Sequence, residues 1–125
     1  MRKSLIFFVS CTFTALVSAE TYHGSFELDG RGGGNKIRIT FIYKLDLSNK
    51  LNITGDVSVT GGQRNCNRDY KLASGSIKGD SVILTSEPLE DHCGPFIFKG
   101  KLEGKEMIGV IPYRGQPREI TLRSD

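Results

Sequence analysis

The alternation that decides the fold runs through Ile37-Arg38-Ile39-Thr40-Phe41-Ile42-Tyr43-Lys44-Leu45-Asp46. Every second residue of this stretch is apolar, and the positions between them are polar with one exception. A period of two predicts a half-buried β-strand, because successive side chains of a strand point to opposite faces of the sheet. The same period returns over residues 51–59 after the short segment 47–50, so the two stretches predict a hairpin.

Eight strands of this kind can be traced along the chain, and no convincing amphipathic helix interrupts them. The second half contains a weak internal repeat, in which residues 75–83 and 100–108 align at a spacing of 25. Each copy reads as strand, turn, strand, with Gly79-Asp80 or Gly104-Lys105 as a tight two-residue connection. The predicted strands cover residues 22–28, 37–46, 51–59, 70–77, 81–86, 95–103, 106–113 and 118–123.

Closing these strands into a barrel is the simplest way to pair the backbone hydrogen-bonding groups of every strand. An all-β, up-and-down antiparallel barrel leaves no exposed sheet edge, and glycines inside strands permit the sharp bends that a small barrel needs. A two-sheet β-sandwich with the same meander is the alternative, because the same alternation of apolar and polar residues is compatible with it. The mid-strand glycines are Gly24, Gly55, Gly75, Gly100 and Gly109.

The first 19 residues have the features of a secretory signal. Two cations are followed by an apolar run over residues 5–17, and the segment closes with Val17-Ser18-Ala19. This order predicts a signal peptide over 1–19, cleaved after Ala19, and a β-barrel domain over 20–125. The apolar run is shorter than the roughly 20 residues needed to span a bilayer, and no second such run follows. Lipidation of Cys11 is a minority alternative.

The composition of the mature chain limits its function. Cleavage leaves 106 residues, a length that fits one small domain with a modest core. Its 15 Lys and Arg residues oppose 14 Asp and Glu, so the net charge falls from +3 to about +1. The basic residues are scattered along the chain. A nucleic-acid partner is therefore not expected, because such binding depends on a concentrated cationic surface.

Loss of Cys11 with the signal leaves a single pair of cysteines, Cys66 and Cys93. One pair in a small exported domain predicts a disulfide and an oxidising compartment, either the periplasm or the exterior of the cell. Closing a loop of this length is worth roughly 3 to 4 kcal/mol of stability in the chain-entropy model.

Connection length distinguishes the two ends of the predicted barrel. Alternate connections of a meander fall at opposite ends, and binding residues are disproportionately carried on loops that a rigid scaffold presents. We call one end the turn end, with connections near 47–50, 79–80 and 104–105, and the other the rim, with connections near 30–35, 61–69, 87–94 and 114–117. The candidate partner-binding residues of the rim are Arg31, Arg64, Asn65, Asn67, Arg68, Glu90, Asp91, His92, Tyr113 and Arg114.

The sequence does not predict an enzyme, a cofactor or a metal site. Cys66 and His92 could act as nucleophile and base, but a disulfide-bonded sulfur has no thiolate with which to attack. Glu90 and Asp91 are sequence neighbours, whose side chains tend to point apart instead of facing one substrate. His23 and His92 are the only histidines, too few for a histidine-rich metal site.

The leading hypothesis is an exported binding module, an inhibitor or immunity factor that docks an extracytoplasmic protein through the rim. In size, export signal and predicted barrel the chain resembles the small periplasmic barrels that inhibit lysozymes or secreted proteases, although it carries no inhibitory motif of those families. The alternative is a calycin-like carrier that holds a small apolar ligand inside the barrel. The candidate wall of such a carrier is Phe26, Ile39, Phe41, Tyr43, Leu84, Phe96, Phe98 and Leu102.

Overall fold

A computed structural model of the chain describes residues 19–29, 34–62, 66–87 and 93–124. In these ranges the protein is all-β, without a helix, and each strand pairs antiparallel with its sequence neighbours to form a closed barrel. The prediction of a barrel is therefore confirmed, and the sandwich is not adopted. The strands are β1 (Ala19–Asp29), β2 (Lys36–Asp46), β3 (Thr54–Thr60), β4 (Asp69–Lys78), β5 (Ser81–Ser86), β6 (Ile97–Glu103), β7 (Glu106–Tyr113) and β8 (Gln116–Ser124).

The alternating stretch that predicted the fold forms β2 and supplies much of the core. Ile39, Phe41, Tyr43 and Leu45 are buried on the inner face, and the residues between them are exposed or half-buried. β2 pairs along its whole length with β1, from Ala19 opposite Asp46 to Asp29 opposite Lys36. One apolar face per strand is thus enough to fill the barrel, as the period of two requires.

Glycines allow the barrel to bend where two backbones approach closely. Gly100 in β6 lies opposite Gly109 in β7. A Cβ atom built on Gly100 would lie 2.8 Å from the Cα of Gly109, and one built on Gly109 would lie 2.5 Å from the Cα of Gly100. No real side chain tolerates such distances, so this pair of glycines sets how tightly the sheet can curve.

The strand boundaries differ from prediction by two residues or more at four places. β1 begins at Ala19 instead of residue 22, since its pairing with β2 continues as far as Asp46. β3 begins at Thr54 instead of Leu51, because residues 48–52 form a turn in which Asn49 accepts hydrogen bonds from the backbone amides of Leu51 (3.1 Å) and Asn52 (3.0 Å). Leu51 is consequently 68% exposed and not part of the core.

The other two differences lie at the rim. β6 begins at Ile97 instead of residue 95, since Pro95 has no N–H to donate and the amide of Phe96 donates to the side chain of Ser86 instead of to a neighbouring backbone. β8 begins at Gln116 instead of residue 118, because Arg114 and Gly115 close a two-residue turn in which Tyr113 pairs with Gln116.

The first residue of β1 and the last residue of β8 both lie at the turn end. Ala19 pairs with Asp46, the last residue of β2, and the amide of Ser124 donates to the carbonyl of Lys105 at 3.1 Å. The predicted signal peptide lies outside the described residues, apart from Ala19. Within the four described ranges, no helix is long and apolar enough to cross a membrane.

Candidate functional site

The disulfide predicted from the sequence is present at the rim. Cys66 and Cys93 are bonded across a sequence separation of 27 residues, with their Cα atoms 5.5 Å apart. Cys66 lies in the connection between β3 and β4, and Cys93 lies in the connection between β5 and β6. The bond therefore joins two long connections on the same end of the barrel, at a Cα distance typical of disulfides.

Hydrogen bonds hold the backbone on both sides of the disulfide. The hydroxyl of Tyr70 donates to the carbonyl of Cys66 at 2.7 Å, in a buried position. The buried hydroxyl oxygen of Ser86 accepts the amide of Phe96 at 2.8 Å, and the amide of Ser86 donates to the carbonyl of Phe96 at 3.0 Å. Each cysteine is thus close to a point where its connection is fixed to the barrel wall.

Aromatic rings pack the interior of the barrel beneath the disulfide. The ring of Phe96 lies edge-on to Phe41 (centroids 5.4 Å apart) and to Tyr70 (5.1 Å). The ring of Tyr113 is stacked near Phe96 (6.3 Å) and edge-on to Phe26 (5.5 Å). Contacts of this kind add to the stability gained by burial alone. We call these five residues the aromatic cluster, and their packed rings fill the barrel beneath the rim.

A groove of about 370 Å³ opens beside the disulfide. Its described walls present polar and apolar surface in about equal amounts, and Arg114 is the one charged side chain among them. The guanidinium carbon of Arg114 lies 5.7 Å from the centre of the Tyr113 ring, within the range of a cation–π contact. We call this concavity the rim groove, and its lining residues are Cys66, Cys93, Gly94, Pro95, Phe96, Pro112, Tyr113 and Arg114.

The structure describes four of the ten candidate rim residues. Asn67 and Arg68 are exposed in the connection between β3 and β4, Arg114 is exposed in the β7–β8 turn, and Tyr113 is half-buried. Asn67 has a structural role, because its side-chain oxygen accepts the amide of Gly62 at 3.0 Å. Six candidates lie outside the described residues, and their placement stays a prediction: Arg31, Arg64, Asn65, Glu90, Asp91 and His92.

Sequence reasoning missed the apolar walls of the rim groove. Pro95 and Pro112 were predicted only as parts of strands and Phe96 as part of the carrier wall inside the barrel, whereas Pro95 and Pro112 are exposed beside the groove. A signal was available, because proline cannot donate a hydrogen bond to a neighbouring strand and is confined to strand starts and edges.

Electrostatics at the rim depend on burial and on nearby cations. Burial raises the pKa of Tyr70, and the positive charge of Arg68 opposes part of this rise. Tyr70 is therefore kept neutral, as its hydrogen-bond donation to Cys66 requires. In the part of the chain that the structure describes, no group of three or more His, Cys, Asp or Glu side chains could hold a metal ion.

A larger depression, of about 640 Å³, lies on the outer wall of the barrel where β1, β7 and β8 meet. Its lining includes Glu119, Thr121 and Arg123, but Arg123 is already paired with Glu106, with 2.7 Å between the charged groups. We favour the smaller rim groove as the candidate site, because its cation has no such ion pair among the described residues and the disulfide fixes its walls.

Most side chains of the predicted carrier wall are packed into the core. Seven of the eight are buried, and the rings of Phe41 and Tyr43 are stacked with their centroids 6.4 Å apart. Leu102 is only half-buried and lines a depression at the turn end. These residues contact one another inside the barrel, so the observed packing does not favour the carrier alternative.

Comparison with known proteins finds no relatives: no family model, no curated protein and no solved structure matches this chain.

Proposed function

We propose that this protein is an exported, periplasmic or secreted binding module that docks a protein partner through the rim, in the manner of an inhibitor or immunity factor. The observation that carries the proposal is the Cys66–Cys93 disulfide, which ties two long connections together above the aromatic cluster. A cross-link between connections reduces the conformational freedom that they lose on binding, which favours affinity.

The composition of the rim supports a protein partner. Tyr and Arg are the residue types most often found at the energetic centre of protein interfaces, and Tyr113 and Arg114 lie side by side at the rim groove. Arg68 adds a second exposed cation on the neighbouring connection. The disulfide is compatible with an oxidising compartment outside the cytoplasm, where such a partner would be met.

The described chemistry offers little support for catalysis at the same place. Both rim cysteines are bonded to each other, so neither sulfur is available as a nucleophile. The described lining of the rim groove contains one charged residue, Arg114, and no carboxylate or imidazole beside it. A binding role fits this lining better than acid–base chemistry, which needs a group able to take up a proton.

The proposal is tested by capturing a partner with the exported protein and measuring how rim substitutions change its affinity. The rim variant is Arg68→Ala with Arg114→Ala, which removes two exposed cations without disturbing the aromatic cluster. The control is Lys78→Ala with Lys105→Ala, which removes two exposed cations at the turn end. We expect the rim variant to lose at least tenfold in affinity, about 1.4 kcal/mol, and the control to bind normally.

Two results would overturn the proposal. The first is a partner that binds the rim variant as tightly as the unaltered protein. The second is equal loss in the rim and control variants, since that would indicate a non-specific dependence on net charge. Native mass spectrometry of protein purified from its own compartment tests the carrier alternative independently, because a retained small apolar molecule would favour it.

A further inference from the structure

We infer that the rim groove receives an acidic residue of the partner, flanked by an apolar or aromatic one, with Arg114 as the cation that recognises the carboxylate. This inference rests on the proposed function and adds the chemistry of the segment that the partner presents.

The walls of the rim groove indicate which kind of side chain the partner's segment presents beside its acidic residue. The disulfide, Pro95, Phe96 and the ring of Tyr113 supply the apolar part of the lining of a concavity of about 370 Å³, and polar groups supply a similar amount of surface. Apolar walls favour apolar groups, because their contact removes hydrocarbon surface from water. A single charge at such a site fixes the orientation of an occupant and selects for the opposite charge.

Arg114 is the described cation that lines the rim groove, whereas Arg68, which is also exposed and has no ion pair among the described residues, does not line it. Other cations near the rim are engaged: Arg38 pairs with Glu27 at 3.0 Å, Lys36 pairs with Asp29 at 3.2 Å, and Arg118 donates to the carbonyl of Tyr113 at 3.3 Å. Arg114 forms no ion pair within the described residues and contacts only an aromatic face. Its guanidinium carries five N–H donors in a fork that matches a carboxylate.

Arg114 is exposed, and its guanidinium has an aromatic neighbour. It lies over the ring of Tyr113, and that ring is itself fixed by Phe26 and Phe96. A guanidinium that is already oriented loses less freedom when it binds a carboxylate.

The backbone of Arg114 is a second observation that points to a role for its side chain. Arg114 has a φ of 54°, the only positive value for a non-glycine residue in the described ranges. It precedes Gly115, which has a φ of 77°, in a two-residue hairpin turn. Asn-Gly or Gly-Gly would suit such a turn better, because Arg carries the steric penalty of the left-handed region. The arginine is therefore not explained by the turn it forms.

The first experiment probes the rim groove with a small carboxylate. The probe is phenylacetate, with phenylacetamide as its neutral counterpart, titrated into the ¹⁵N-labelled exported protein with the disulfide intact. We expect saturable shifts of the amides of Cys93, Gly94 and Phe96 with phenylacetate, and at least fivefold weaker binding of phenylacetamide. Arg114→Gln should reduce the affinity for phenylacetate to that for phenylacetamide, whereas Lys78→Gln at the turn end should leave both affinities unchanged.

The second experiment separates recognition from a structural role for Arg114. Arg114→Gly and Arg114→Asn suit the left-handed backbone, so both should raise the midpoint of thermal unfolding. Both should nevertheless weaken the binding of phenylacetate and of the captured partner, the latter at least tenfold. A gain in stability together with a loss of binding is what recognition by the side chain requires, and a turn-forming role alone would not produce it.

Three outcomes would overturn the inference. The first is phenylacetate that shifts amides only at the turn end, and the second is an Arg114→Gly variant that binds the captured partner normally. The third is phenylacetate binding that emerges only in the Glu90→Gln, Asp91→Asn variant, since the chain's own carboxylates would then satisfy Arg114. If Arg114→Gly binds the captured partner normally while Arg68→Ala does not, the proposed function stands and only this inference fails.

Discussion

Tyr43 is the residue whose chemistry fits its surroundings least well. It lies in the middle of β2 with none of its side chain exposed, stacked against Phe41. Its hydroxyl has no hydrogen-bond partner among the described residues. Burial raises its pKa far above the ordinary value for a tyrosine. A buried hydroxyl without a partner has lost its hydrogen bonds to water and gained none in exchange.

We expect Tyr43→Phe to stabilise the protein by about 1 kcal/mol, because it removes the unpaired hydroxyl and keeps the ring in place. Urea unfolding at pH 7 measures the change, and Tyr70→Phe is the matched control. The control should destabilise by about 1 kcal/mol, since the hydroxyl of Tyr70 donates a buried hydrogen bond to Cys66. A loss of stability in Tyr43→Phe would contradict the expectation and indicate a buried water on that hydroxyl.

The same residue makes stability depend on alkaline pH. An unfolded tyrosine ionises near pH 10, whereas folded Tyr43 keeps its proton to higher pH, so the folded state binds more protons above pH 10. Stability is then complete below pH 10 and falls as the pH rises. Tyr22, whose pKa is raised to about 12 by burial and by Glu20, acts in the same direction. The Tyr43→Phe variant should lose less stability than the unaltered protein between pH 9 and pH 11.

At the scale of the strands, the paired glycines of β6 and β7 determine whether the sheet can bend. We expect Gly109→Ala to destabilise the protein by about 3 kcal/mol, because the new methyl group would collide with the backbone of Lys99 and Gly100. Gly34→Ala is the control, since nothing lies within 4 Å of the position of its Cβ atom. Thermal unfolding of both variants measures the difference, and equal stability would contradict a closely packed bend.

Strands were predicted well from the sequence where burial enforces a period of two, as in β2, and less well where a local hydrogen bond competes with it. Leu51 continues the alternation that ends in Val57 and Val59, yet the side chain of Asn49 draws it into a turn. The alternation of apolar residues reports the face of a strand. It does not report where side-chain hydrogen bonds to the backbone end the strand.

The rim was predictable for a different reason. In a closed meander, alternate connections must lie at opposite ends, so the strand count alone places Cys66 and Cys93 together. The rim groove was not predictable, because it depends on how Pro95 and Tyr113 pack in three dimensions. Tyr113 was predicted to be a partner-binding residue of the rim. It is half-buried and its ring also belongs to the aromatic cluster, which no sequence pattern indicates.

At the scale of the whole molecule, the disulfide links rim order to global stability. We expect Cys66→Ser with Cys93→Ser to lower the free energy of unfolding by about 3 to 4 kcal/mol, from the loop that the bond closes. Hydrogen exchange should also accelerate first at Asn67, Arg68 and Gly94, while the turn end keeps its relative protection. The double variant is compared with the intact protein by urea unfolding and exchange. Uniform acceleration over all strands would contradict a bracing role at the rim.

The shared location of the start of β1 and the end of β8 governs how the barrel can be mounted. Ala19 and Ser124 lie at the turn end, so anything attached to either residue lies at the end opposite the disulfide. A sensor chip, a bead or a fused reporter coupled at either strand end would therefore leave the rim turned toward solution. Capture experiments with this protein need no search for a harmless attachment point, because the direction of the strands already provides two.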